Sequence, residues 1–180
     1  MARTADHTQS RDARLKRLAE NIDALAQKDE RLLRRTREIA ELRQSAASDI
    51  YAICASFVNA INSLLAQPVM ELDPPDFPPG AFQEDAPNLM QTNVRGRILQ
   101  VSFAATAELI STEEFRVPYI LSGTVRAFNQ ELLDKDIIEE QLIFYTLENH
   151  RKMWRFFDPR TYRSGPFDQE YLVSLMEQLL

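Results

Sequence analysis

The chain has 180 residues, 44 % apolar and 27 % charged, with 21 basic and 27 acidic side chains and a net charge of −6. That length suits one domain, or one domain with an extension, and a core that needs no staples. One cysteine, Cys54, two histidines, His7 and His150, and four singly placed glycines exclude an internal disulfide, leave too few ligands for a zinc site, and exclude the clustered glycines of a phosphate loop or dinucleotide fold.

The opening MARTADHTQSRDARLKR is polar throughout. Residues 1–8 are therefore expected to be disordered, with no signal peptide. No apolar run reaches the ~20 residues of a membrane span. A cytoplasmic chain without a cofactor is the expectation.

Residues 9–67 hold no Pro or Gly and are rich in Ala, Leu, Arg, Glu and Gln, all good helix formers. A seven-residue register fits the whole stretch. Its a positions are Leu15, Ile22, Asp29, Thr36, Arg43, Ile50, Phe57 and Leu64. Its d positions are Leu18, Leu25, Leu32, Ile39, Ala46, Ile53, Ala60 and Gln67. This predicts one long coiled-coil helix, weakened where Asp29, Thr36 and Arg43 occupy successive a positions. Unbroken, it would measure on the order of 85 Å. The expected oligomer interface is Leu15, Leu18, Ile22, Leu25, Leu32, Ile39, Ile50, Ile53 and Phe57, in a homo-oligomer, with a parallel dimer favoured. From Ile50 to Leu65 the apolar residues go nearly all round, so that half should also pack on a globular domain. Arg43, polar in the seam, is a candidate for setting register or oligomer state.

Residues 68–90 carry six of the nine prolines and five acidic residues with no basic one. Prolines at this density favour extended chain over helix or central strand. The expectation is an acidic linker wrapping the domain, or a segment docked by a partner through Phe77 and Phe82.

Residues 91–180 read as a compact α+β module. Leu99, Val101 and Phe103 alternate with Gln100 and Ser102. Strand formers recur over 117–128, 137–147 and 153–157, and Asn149-His150-Arg151 reads as a hairpin loop. Ser111 and Glu114 have capping-box spacing, predicting a short helical turn. Tyr171, Leu172, Leu175, Met176 and Leu179 share one face of a final helix, with Asp168 or Ser164 as its cap and Pro166 at its start. The fold class is thus α+β: a long N-terminal coiled-coil helix, then an antiparallel β-meander covered by a C-terminal helix.

Charge divides unevenly. Up to Gln67 there are 11 basic and 9 acidic residues; beyond it, 10 and 18. The acidic domain argues against phosphate-backbone binding there. Arg31, Arg34, Arg35 and Arg37 are the candidate nucleic-acid contacts, although Asp29, Glu30, Glu38 and Glu41 flank them at pairing distance. Glu131, Asp134, Asp136, Glu139 and Glu140 raise a Mg²⁺-dependent enzyme, but Glu139 and Glu140 are adjacent and on a strand would face opposite ways. His150 with Tyr145, Glu148 and Arg151 raises an acid–base site, with no nucleophile in any recognisable pattern. Cys54, in the apolar half of the helix, reads as inert packing. Arg155, Arg160, Tyr162 and Arg163, near Trp154 and Phe156, are residue types that make interface hot spots, and are the candidate partner contacts.

These readings converge on a non-enzymatic oligomeric adaptor or accessory subunit that binds another protein through its α+β domain. The alternatives are a nucleic-acid-associated component of a regulatory or defence complex, and a Mg²⁺ enzyme using carboxylates of 131–140.

Overall fold

A computed structural model describes residues 3–113, 115–130 and 137–180, with the side chains of 3–11 and 108 left out. The chain is α+β. Helix α1 runs Arg3–Leu64, followed by strands β1 (Met70–Asp73), β2 (Asn88–Val94), β3 (Arg97–Ile110), β4 (Tyr119–Asn129), β5 (Ile137–Glu148), β6 (Arg151–Asp158) and β7 (Arg163–Pro166), and helix α2 (Gln169–Glu177). The described part of α1 thus begins at Arg3, inside the stretch expected to be disordered. Two compact units divide the chain, residues 1–40 and residues 41–180.

The second unit is a seven-stranded antiparallel sheet in which every strand pairs with its neighbour in sequence. The meander is larger than the sequence suggests, because β1 and the first residues of β2 come from the 68–90 segment read as a linker. β7 likewise comes from the stretch read as a loop and helix start, so Pro166 ends a strand and does not begin α2. Two turns take the shape a two-residue hairpin demands. Arg95-Gly96 (φ 50 and 83) and Asn149-His150 (φ 45 and 66) both lie in the left-handed region, between the paired ends Val94 and Arg97 and Glu148 and Arg151. Positive φ at both central residues matches the right-handed twist of the strands.

Partners across a ladder share a face. Asn88, Phe103, Gly123, Ile143 and Phe156 form one such row, and Leu121, Tyr145 and Trp154 another. This face is buried. The C-terminal part of α1 covers it with Ala46, Ala47, Ile50, Cys54, Phe57 and Val58, all buried. The small Ala46 and Ala47 let the helix backbone come close, and the Trp154 indole Nε1 donates 2.7 Å to the Ala46 carbonyl. Helix α2 covers the same face further along with Tyr171, Leu172, Leu175 and Met176. Its Tyr171 ring stacks on Phe156 at 4.2 Å, and Asp168 caps it by accepting from the Tyr171 N–H at 2.9 Å.

The second half of the heptad register therefore faces this chain's own sheet. Ile50 and Phe57 are fully buried within the unit and are closed to a partner helix, which removes them from the expected oligomer interface. Ile53, between them, is half-buried. Full burial stabilises each such side chain by about 1.5–3 kcal/mol.

The opposite face carries a smaller aromatic cluster of Phe115, Tyr119, Phe144 and Phe157, with Phe115 stacked on Phe144 at 4.3 Å. Phe115 arrives from the β3–β4 connection. There the Thr112 N–H donates to the Phe115 carbonyl at 2.9 Å and the Phe115 N–H donates to the Thr112 hydroxyl at 3.1 Å. Residues 111–113 form no helical turn, and Glu114 lies outside the described residues. The proline-rich segment wraps the unit: Phe77 stacks on Tyr51 at 5.5 Å and Phe82 on Phe103 at 6.4 Å. Both rings pack against side chains of this chain.

Candidate interaction surfaces

In the first unit the apolar stripe of α1 stands open. Leu15, Leu18, Ile22, Leu25, Leu32 and Leu33 are 54–63 % exposed; Ile39 is half-buried. Single exposed leucines are ordinary on protein surfaces. Six on one helical stripe form an unusually continuous apolar seam. Arg31, Arg34, Arg35 and Arg37 are exposed on the same stretch. The ion pairs with Glu30, Glu38 and Glu41 that the sequence spacing suggests do not form among the described residues.

Arg43 is the residue whose role sequence reasoning missed. It is buried and points into the second unit. Its Nε donates 3.2 Å to the Ile120 carbonyl, and its terminal nitrogens reach the Glu84 carboxylate and the Thr106 carbonyl. Ile120 sits at a register shift between Tyr119 and Leu121, where it accepts also from the Thr106 hydroxyl at 3.0 Å. The guanidinium ties α1 to β3, β4 and the wrapping segment. That explains a polar residue at an a position without any partner helix.

Arg155, Arg160, Tyr162 and Arg163 do not form one patch. Arg160 is held by Asp158 (3.3 Å) and Glu139. The Asp158 carboxylate also accepts from the Arg160 N–H at 3.0 Å and the Thr161 hydroxyl at 2.9 Å. Arg155 is half-buried and reaches the Ser164 hydroxyl at 3.4 Å. Arg163 pairs with Asp158 and Arg155 with Pro166 in the β6–β7 ladder, so the two arginines lie on opposite faces. Tyr162 is 72 % exposed at a positive φ of 57. Arg163 borders a cavity of about 330 Å³ that Gln141, Phe156, Asp158, Glu170 and Tyr171 also line. There the Tyr171 hydroxyl donates 2.9 Å to Gln141 Oε1. Burial, with the Glu139 and Asp158 charges nearby, raises its pKa above the ordinary 10.0, so it stays a donor at neutral pH.

Of the enzyme candidates, the described residues show only a part. Glu131, Asp134 and Asp136 lie outside the described residues. Glu139 pairs with Arg160 and Glu140 with Arg126. Among the described residues no group of three or more His, Cys, Asp or Glu could hold a metal ion. His150 is exposed at its turn, while Tyr145 is buried edge-on to Trp154 at 5.6 Å. Cys54 is buried, and burial pushes its thiol up to about 12, which leaves it unreactive at neutral pH. Among the described residues no helix is long and apolar enough to cross a membrane. Comparison with protein families, curated proteins and solved structures finds no match to this chain.

Proposed function

We propose that this chain is a non-enzymatic adaptor or accessory subunit that self-associates through residues 15–39 of α1 and binds another protein through its α+β unit. The observation that carries this reading is the exposed run Leu15, Leu18, Ile22, Leu25, Leu32 and Leu33. Spaced at a and d positions, with Leu33 at the adjoining e position, those side chains cover one stripe that a facing helix would bury. Joining two chains would give each α+β unit a second copy beside it, and avidity would follow from that linkage. On the unit itself, Arg163 at the edge of the cavity and, apart from it, exposed Tyr162 are residue types that anchor protein partners.

The test is light-scattering mass over a concentration series, for the native chain and for Leu25→Asp. The native chain is expected at twice the single-chain mass. Leu25→Asp removes two leucines from the dimer, at about 1.5–3 kcal/mol each, so association weakens at least about a hundredfold. The single buried Trp154 should keep its emission, because Leu25 lies outside the sheet unit. A native chain with single-chain mass at every concentration sinks the proposal.

The free Arg31, Arg34, Arg35 and Arg37 side chains support a second reading, contact with nucleic acid. It differs from the first in requiring binding that falls steeply with added salt.

A further inference from the structure

Given the self-association proposed above, we infer that the seam of α1 takes a second copy of this chain in parallel and in register, with the alignment set by polar layers at Asp29 and Thr36. The seam from Leu15 to Ile39 is on the order of 36 Å long at ~1.5 Å per residue and covers about three and a half heptads. It is three positions wide, since Ala19, Ala26, Leu33 and Ala40 at e extend the a and d stripe.

Orientation follows from what meets the two polar a residues. In a parallel in-register pair each layer faces its own counterpart. Asp29 then meets Asp29 of the second copy, and Thr36 meets Thr36. Lys28, at the g position just before Asp29, lies beside the facing a position, so each ammonium reaches the carboxylate of the other chain. Two carboxylates and two ammoniums balance. The remaining layers, from Leu15 to Leu25 and at Leu32 and Ile39, stay apolar against apolar.

In an antiparallel pair with the same overlap, Asp29 faces Leu25 and Thr36 faces Leu18, each twice. A carboxylate buried against leucine is unpaired and costly, and Lys28 also meets Lys28 of the other copy. A parallel pair slipped by one heptad sets Asp29 against Ile22. The flanks agree with the parallel arrangement. Arg14, Lys28 and Arg35 at g would lie beside Ala19, Leu33 and Ala40 at e, with aliphatic stems on apolar surface and charges in water. At these flanks no like charges meet.

The experiment uses the full chain carrying Leu18→Cys, Thr36→Cys or both, oxidised in a glutathione buffer at neutral pH and read on a non-reducing gel beside light-scattering mass. Cys54 can stay, being buried and unreactive. The expected result is a covalent dimer from each single variant. It should form on the order of a hundredfold or more faster than between unpaired chains at micromolar concentration, because pairing raises the local thiol concentration to about millimolar. Cross-linking only in the double variant would show the antiparallel pair and overturn the inference while leaving self-association standing. A double-mass species that no variant cross-links would show a shifted register and overturn it too. A single-chain mass would overturn the self-association reading and the inference together.

Discussion

Gly123 in β4 lies opposite Phe103 in β3. A methyl group there would sit 2.7 Å from Phe103 Cα and 2.9 Å from its Cβ, and closer still to the Ser102 carbonyl oxygen. These are backbone and near-backbone atoms of a paired strand, so neither can swing away. Gly123→Ala should destabilise the sheet unit by at least about 1–3 kcal/mol, read as a lower denaturant midpoint. Asp158 acts through charge. Burial alone would raise its pKa, but the Arg160 N–H, the Thr161 hydroxyl and the Arg160 guanidinium together hold it below the ordinary 3.8. A depressed carboxylate contributes stability above its unfolded value and loses it as pH falls through the folded one. Acid titration of stability should therefore lose part of its slope below pH 3.8 in Asp158→Asn. A variant with the native slope would show the network to be neutral. Neither residue stands out in the sequence. A lone glycine in a strand pattern carries no sign of which backbone approaches it, and an Asp-Pro-Arg run reads as a loop until Glu139 arrives from β5 to meet Arg160.

The elements were legible where a period was long enough to count. Leu99, Val101 and Phe103 alternate with Gln100 and Ser102, and the structure buries the first three. The Asn149-His150 hairpin was marked by its residues, since asparagine tolerates the left-handed region. That reading overlooked three strands, β1, β2 and β7, and two of them, β1 and β7, are the edges of the sheet. Pro74 follows β1 directly and Pro166 closes β7. Proline argues against a central strand but is at home on an edge, and four residues are too few for alternation to show. The heptads of α1 misled for another reason. A seven-residue register records only that a stripe is apolar, and a sheet can fill it as well as a helix. Arg43 marks the change. Before it, Leu15 to Leu33 are exposed; after it, Ala46, Ile50 and Phe57 are buried against β-strands.

The whole chain divides where that change occurs, with residues 1–40 and 41–180 as separate compact units. A chain beginning at residue 41 keeps every residue of α1 that is buried among the described side chains and should fold, with Trp154 emission as in the full protein. A chain beginning at Pro68 loses Ala46, Ile50, Phe57 and the Arg43 contacts. The apolar burial forfeited, at about 1.5–3 kcal/mol for each large side chain, is comparable with a whole domain's stability of about 5–15 kcal/mol, and that chain should aggregate. Recovery of a folded, monomeric protein from Pro68 onward would refute this account of the core. The strictly sequential strand order also has a consequence for synthesis. The ribosome releases the chain from its N-terminus, so the covering helix is complete before the first strand emerges. Each strand after β1 then finds a hydrogen-bonding neighbour already in place, and the sheet grows from one edge, a strand at a time. Only the far end of its apolar face waits for the last residues, until α2 leaves the exit tunnel and closes over Phe156.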